Sequence, residues 1–113
     1  MGRLIYAGSP SDSYRVDDRL LLHLELAIAA KFRLGDSFAF TIDGDHAPGS
    51  GYHVLWMHPS ISLQFRYDGD RRALAVNPSW VSALVSSAST DGGLRIVPEP
   101  GSAPAAAPRP IYG

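Results

Sequence analysis

Apolar and polar residues alternate at two different periods along the first hundred positions, and this predicts both helices and strands. The clearest helical pattern follows Asp17 or Asp18, either of which can cap a helix start. Its cationic last turn and a following Gly35 are typical of a helix end. The apolar residues that recur at helical spacing are Leu20, Leu21, Leu24, Ile28 and Phe32. We therefore predict a first amphipathic helix that ends near Gly35.

A second helix is predicted after Asn77-Pro78. Asparagine is a good N-cap, and proline suits the first helical position because its missing N–H needs no partner there. We expect this helix to end before Gly92-Gly93. Its apolar positions are Trp80, Val81, Leu84, Val85 and Ala88.

The remaining apolar segments show the period of two that is typical of strands. Residues 3–7 and 13–16 predict a hairpin around the turn at 8–12, and residues 94–97 predict a closing strand. The other strands are predicted at residues 37–42, 53–57 and 62–67. The last two of these are expected to pair antiparallel, because only a short link joins them.

This order of elements, β-β-α-β-β-β-α-β, predicts an α+β fold. We expect a mostly antiparallel sheet of about five to six strands, with two helices packed on one face. One domain is predicted over residues 1–97. Residues 98–113 are rich in proline and alanine and are expected to form a disordered tail, either inert or a proline-rich docking segment.

Composition narrows the class of protein. The chain has 113 residues, of which 45% are hydrophobic and 19% are charged, as in a folded globular domain. It contains no cysteine, so disulfides and thiolate zinc sites are excluded and a reducing compartment is favoured. No apolar run is long enough for a membrane helix or a signal peptide, so we expect a cytoplasmic protein with no membrane contact.

The first helix carries apolar residues on two flanks. Leu22 and Leu26 lie opposite the main apolar stripe, so a single sheet cannot cover both sides. Either the second helix or the start of the tail packs on them, or they form a homodimer or partner interface.

Acidic and histidine residues raise the question of a metal site. Asp43, Asp45 and His46 are the first candidates, and the segment 68–70 repeats the Asp-Gly-Asp pattern. The longer acidic ladder of a calcium loop is missing, and Asp and Gly are also what turns prefer. We expect turns at both places and no cofactor. The glycine-rich loop 43–51 is the segment of the body most suited to meet a ligand.

No catalytic residue is predicted. The histidines stand in no Ser-His-Asp or Cys-His arrangement, so we interpret them as structural. The sequence favours a protein that is not an enzyme, although it leaves that alternative open.

Nucleic-acid binding is a further alternative. Four arginines could line one side of the sheet beside Tyr52 or Tyr67, where bases could stack. These candidates are Arg66, Arg71, Arg72 and Arg95. The neighbouring Asp68 and Asp70 oppose this charge, and a net charge of −1 argues against binding dominated by phosphate neutralisation.

Several segments of the chain resemble one family of short actinobacterial proteins, many of which carry the label "ATP-dependent DNA ligase". The similar segments are MGRLIY (1–6), DDRL (17–20), SFAF (37–40), LWMHPSISLQFRY (55–67) and GGLRIVPE (92–99). The resemblance implies a domain over residues 1 to about 99. It transfers no catalytic residue.

Ligase chemistry itself does not fit the residues. A nucleotidyl-transferring ligase needs a nucleophilic lysine in a Lys-x-Asp-Gly setting, and here Thr41 takes the place of that lysine before Asp43-Gly44. The sequence therefore predicts a small non-catalytic binding or interaction module, and a homo-oligomer through Leu22 and Leu26 is one form that it could take. The alternative is an accessory protein associated with nucleic acid.

Overall fold

The computed structural model describes residues 1–43 and 52–101. Within them the chain forms six strands and two helices in the predicted order. The strands are β1 (Gly2–Tyr6), β2 (Ser13–Val16), β3 (Phe38–Asp43), β4 (Tyr52–Met57), β5 (Leu63–Arg66) and β6 (Leu94–Arg95). The helices are α1 (Asp18–Arg33) and α2 (Pro78–Ala88), and short 3-10 turns lie at Pro10–Asp12 and Arg71–Ala73.

The α+β class is confirmed, but the strands form two sheets of three rather than one sheet. Sheet 1 has the order β2-β1-β5 with antiparallel neighbours. Sheet 2 has the order β4-β3-β6, in which β4 is antiparallel and β6 parallel to β3. The first hairpin is present as predicted.

The predicted pairing of the strands at 53–57 and 62–67 is wrong. β4 pairs with β3, where Leu55 lies opposite Phe40, and β5 pairs with β1, where Phe65 lies opposite Leu4. A short link permits antiparallel pairing but does not require it. Here the apolar side chains are buried when each strand joins a different sheet.

Both helices begin with the caps that the sequence predicts. The Asp17 side chain accepts hydrogen bonds from the amides of Arg19 and Leu20, and the Asn77 side chain accepts one from Ser79. Gly35 has a φ of 76°, as expected after a helix end. The second helix stops at Ala88, earlier than its glycine pair, because the amide of Ser89 closes the last turn.

The core lies between the helices and the inner faces of the two sheets. Its largest fully buried side chains include Leu4, Leu21, Leu24, Ile28, Phe40, Met57, Leu84 and Leu94. Gly93 is required beside this core, because it has a φ of 78° and a Cβ there would lie 2.5 Å from the carbonyl oxygen of Ala39. Neither helix of the described residues has the length and hydropathy that a bilayer span requires.

Candidate functional site

The outer face of β4 is apolar and exposed. Tyr52, Val54 and Trp56 alternate along this strand and are 78%, 66% and 58% exposed, respectively. Of the alternate residues, Leu55 and Met57 are buried in the core, and His53 at the start of the strand is exposed. β4 is therefore apolar on both faces, although only one of them meets the rest of the fold.

The neighbouring strands place small or short side chains next to this ridge. Trp56 lies opposite Ala39 and Val54 lies opposite Thr41, while Thr41 also pairs with Arg95 of β6. Because Ala39 and Thr41 are short, the aromatic rings project above the sheet. We call this surface, made of Ala39, Thr41, Tyr52, Val54, Trp56 and Arg95, the sheet-2 face.

A cleft of about 350 Å³ opens at one end of the sheet-2 face. Trp56 forms one wall, and Asp91 lies among the residues that line it. The buried Lys31 also lines it, and its amine donates a hydrogen bond to the Ser89 hydroxyl at 3.0 Å and forms an ion pair with Asp36 at 3.0 Å. Lys31, Ser89 and Asp36 are thus hydrogen-bonded or ion-paired with one another. The cleft is a polar recess with Trp56 as an aromatic wall.

Two exposed charges flank the apolar ridge. Arg95 belongs to the sheet-2 face and Asp91 lines the cleft. Within residues 1–43 and 52–101, neither side chain forms an ion pair. The surface therefore offers one cation and one anion beside its apolar centre.

Side chains of sheet 1 hold β4 in place. The Tyr6 hydroxyl donates a hydrogen bond to the Trp56 carbonyl oxygen. The Tyr14 hydroxyl lies 3.2 Å from Nδ1 of His53, and the two rings meet edge to face. These contacts tie the two sheets together, so the aromatic ridge is presented on a supported strand.

A buried polar network joins the helices to the end of the described chain. His23 is 0% exposed. Its Nδ1 donates a hydrogen bond to the Arg19 carbonyl oxygen at 2.7 Å, and its Nε2 accepts one from the Asn77 backbone amide at 2.9 Å. Its ring lies 4.5 Å from that of Trp80, centroid to centroid. Trp80 in turn donates to the Val97 carbonyl at 2.9 Å. Both ring nitrogens of His23 are therefore engaged within the fold, which fixes one tautomer.

Glu99 completes this network. It accepts hydrogen bonds from the guanidinium of Arg19 and from the Asn77 side-chain amide. The hydrogen bonds from Arg19 and then Asn77 lower the pKa of Glu99 from 4.5 to about 2. The network accordingly clamps the segment that follows β6 against both helix starts.

A second polar cluster fixes the connection after β5. The Tyr67 hydroxyl donates to Glu25 at 2.6 Å, and Arg71 forms two hydrogen bonds of 3.0 Å to the same carboxylate. Burial, and then the hydrogen bond to Glu25, raise the pKa of Tyr67. These residues hold the connection on α1.

The four arginines predicted to share one surface are distributed over the molecule. Arg66 lies on sheet 1 and Arg95 on sheet 2. Arg71 pairs with Glu25, and Arg72 pairs with Asp70. Of the four, only Arg95 shares a sheet with Tyr52, and Arg71 lies 5.9 Å from the centre of the Tyr67 ring. The four arginines therefore do not form one surface with these aromatics.

The two residues predicted to form an interface on α1 differ in exposure. Leu22 is 2% exposed and Leu26 is half-buried. The chain itself covers Leu22, and an interface at Leu26 stays a prediction.

The metal candidates fall mostly outside the described part of the chain. Asp45 and His46 belong to residues 44–51, for which the structure gives no description, and Asp43 ends β3. Among the described residues, no group of three His, Asp or Glu side chains could hold a metal ion.

Sequence reasoning did not single out the sheet-2 face. The only signal was that both alternating sets of β4 residues are largely apolar, and this pattern fits a strand buried on both faces equally well. Which set is exposed depends on the neighbouring sheet, and the pattern contains no information on it.

Comparison with known proteins gives a family but no activity. A family model described as a domain of unknown function, DUF7882, matches residues 1–99. Searches of curated proteins and of solved structures gave no match.

Proposed function

The chain belongs to this family, and from its geometry we propose that it is a non-catalytic interaction module that self-associates through the sheet-2 face. The observation that carries the proposal is the row of exposed apolar side chains on β4, namely Tyr52, Val54 and Trp56. A contiguous apolar row on a supported strand is typical of a protein interface. Aromatic residues are also the ones that dominate the energy of such interfaces.

The charges beside the row favour a second copy of the chain as the partner. A two-fold symmetric interface brings each surface against itself, so the surface must complement itself. The apolar row meets this condition, because it packs against the apolar row of the second copy. Arg95 and Asp91, neither of which has an ion-pair partner among the described residues, can pair with Asp91 and Arg95 of the second copy.

The size of the surface sets the expected affinity. A standard interface buries about 800 Å² on each partner. Tyrosine and tryptophan bury about 150–250 Å² each, so Tyr52, Val54 and Trp56 supply roughly half of that area. The remainder comes from Thr41, Arg95 and the rim of the cleft. We therefore expect a dimer of moderate affinity rather than an obligate one.

The polar groups near this face support a role without catalysis. Lys31 lies next to the exposed surface, but its amine is held between Ser89 and Asp36. The hydrogen bond to Ser89 and the ion pair with Asp36 account for the position of Lys31 in the fold without a catalytic role.

Sedimentation equilibrium of the wild type and of Trp56→Glu tests the proposal. We expect the wild type to show a monomer–dimer equilibrium in the micromolar range and Trp56→Glu to remain monomeric. The matched control is Leu34→Glu, which places the same charge at a side chain that is 73% exposed beyond the end of α1. It should dimerise like the wild type. A monomeric wild type at 500 micromolar, or equal loss in both variants, would contradict the proposal.

A further inference from the structure

Arginines form a row across the outer face of sheet 1. Arg3 at the centre of the row lies directly opposite Arg15 of β2 and directly opposite Arg66 of β5. All three side chains are exposed, whereas their strand neighbours Leu4 and Tyr14 are buried on the inner face. We call Arg15, Arg3 and Arg66 the arginine row.

Such a row costs stability when nothing balances it. Directly opposite residues on neighbouring strands have Cβ atoms about 4.5–5.5 Å apart, and like charges at that distance repel. In the described part of the chain, none of these arginines forms an ion pair with a carboxylate. Arg3 donates to the Ser13 hydroxyl at 3.1 Å, and Arg15 contacts the Met1 sulfur at 3.9 Å. Asp68 interacts electrostatically with Arg3 and Arg15, so the charge of the row is offset in part at that end, but by no direct ion pair within the described chain.

The nearest carboxylates lie at one end of the row and already have partners. The terminal amine of Met1 pairs with Asp68 at 2.8 Å, and this hydrogen bond lowers the pKa of Asp68. Asp18 accepts the amides of Asp68 and Gly69. On the other side of the row, the next residues on the same face are Ser13, Ile5 and Gln64. Ile5 is apolar and buried, and Ser13 and Gln64 carry hydrogen-bonding groups without charge. None of the three is a carboxylate, so an anion meets no like charge from them.

We propose that the arginine row binds the phosphodiester backbone of a single-stranded nucleic acid. The strands of a sheet are about 4.8 Å apart, so the row spans about 10 Å in a line. A linear array of cations matches a linear array of phosphates. A single small anion would instead be held by side chains that converge on it. A flat anionic membrane would bring its charges against the carboxylates of Asp18 and Asp68 at one end of the row. A flexible strand can instead pass along the side of Ser13 and Gln64.

This site is separate from the proposed dimer surface. The arginine row lies on sheet 1 and the exposed aromatic row lies on sheet 2. It also differs from the set of four arginines indicated by the sequence, of which it retains only Arg66. The overall charge of −1 does not reveal the row, because that sum contains no information on where the arginines cluster.

Fluorescence anisotropy with a labelled oligothymidylate at low ionic strength tests this proposal. We expect salt-sensitive binding by the wild type, with a slope of log affinity against log salt of about −2, since each contacted phosphate of a single strand contributes about −0.7. Arg3→Gln and Arg66→Gln should each weaken binding several-fold and reduce the slope by about 0.7.

Two controls keep the result specific. Arg33→Gln makes the same change in net charge at an exposed position at the end of α1 and should bind like the wild type. Trp56→Glu should also retain binding, which separates this site from the dimer surface. Equal weakening by Arg33→Gln and Arg3→Gln would overturn the proposal. The absence of oligonucleotide binding would also overturn it, whether or not the protein binds vesicles of anionic phospholipid.

Discussion

The guanidinium of Arg19 lies against the carboxylate of Glu99, a residue 80 positions further along the chain, and donates two hydrogen bonds to it. The same guanidinium donates to the Ala75 carbonyl at 2.8 Å. Arg19 thus joins the first turn of α1 to the segment before α2 and to the segment after β6. The described body includes Glu99, and the segment that follows β6 is part of the structure that positions both helices.

This contact predicts a specific acid sensitivity. The pKa of Glu99 falls from 4.5 to about 2 in the folded chain, so its contribution is complete above about pH 4.5 and is lost as the pH falls towards 2. The melting temperature of the wild type should fall over this range. Glu99→Gln should have a lower melting temperature at pH 7 but a smaller fall below pH 4.5. Asp91→Asn, which removes an unpaired carboxylate, serves as the control and should keep the slope of the wild type.

Replacing the buried His23 should reduce stability through lost hydrogen bonds, even when the new side chain has a similar volume. His23→Phe fills similar space but leaves the Asn77 amide without its acceptor, whereas the Arg19 carbonyl keeps its helical hydrogen bond from the backbone amide four residues on. One unsatisfied buried donor costs about 1–3 kcal/mol, so the urea midpoint should fall accordingly. His58→Phe is the control, because His58 is exposed and, among the described residues, its side chain forms hydrogen bonds with Ser60 alone. A midpoint for His23→Phe within error of the wild type would show that the network contributes nothing.

The arginine row predicts a gain of stability on mutation. Arg3→Gln removes the central charge between Arg15 and Arg66, so the free energy of unfolding should rise by about 0.2–1 kcal/mol at low ionic strength. Salt screens such repulsion, and at about 1 M the difference from the wild type should vanish. Thermal unfolding at the two salt concentrations measures this. Arg33→Gln should show no comparable gain, and a destabilised Arg3→Gln would contradict unbalanced repulsion in the row.

Much of the fold could be predicted from local sequence. Asp17 and Asn77 cap helices wherever those helices pack, because their side chains bond to amides two or three residues away. The alternation of Phe38, Phe40 and Ile42 likewise indicates a strand with one buried face. These features depend on near neighbours, and the structure confirms them.

The arrangement of the sheets depends on distant neighbours and could not be predicted in the same way. Nothing close to β5 in sequence indicates that Phe65 pairs with Leu4 rather than with β4. Both candidate surfaces depend on such pairings. Arg3, Arg15 and Arg66 form a row only because three strands align, and Trp56 is exposed only because Leu55 and Met57 meet the core.

The self-complementary sheet-2 face is the central claim, and mixing two charge variants tests it most directly. Arg95→Asp and Asp91→Arg should each weaken the dimer, because each places like charges across the two-fold axis. An equimolar mixture should recover dimer, because the first variant offers two anions to the two cations of the second. Sedimentation equilibrium of each variant and of the mixture is the measurement. Recovery in the mixture, and not in either variant alone, is the predicted result; a mixture that sediments as the average of two monomers would contradict the account.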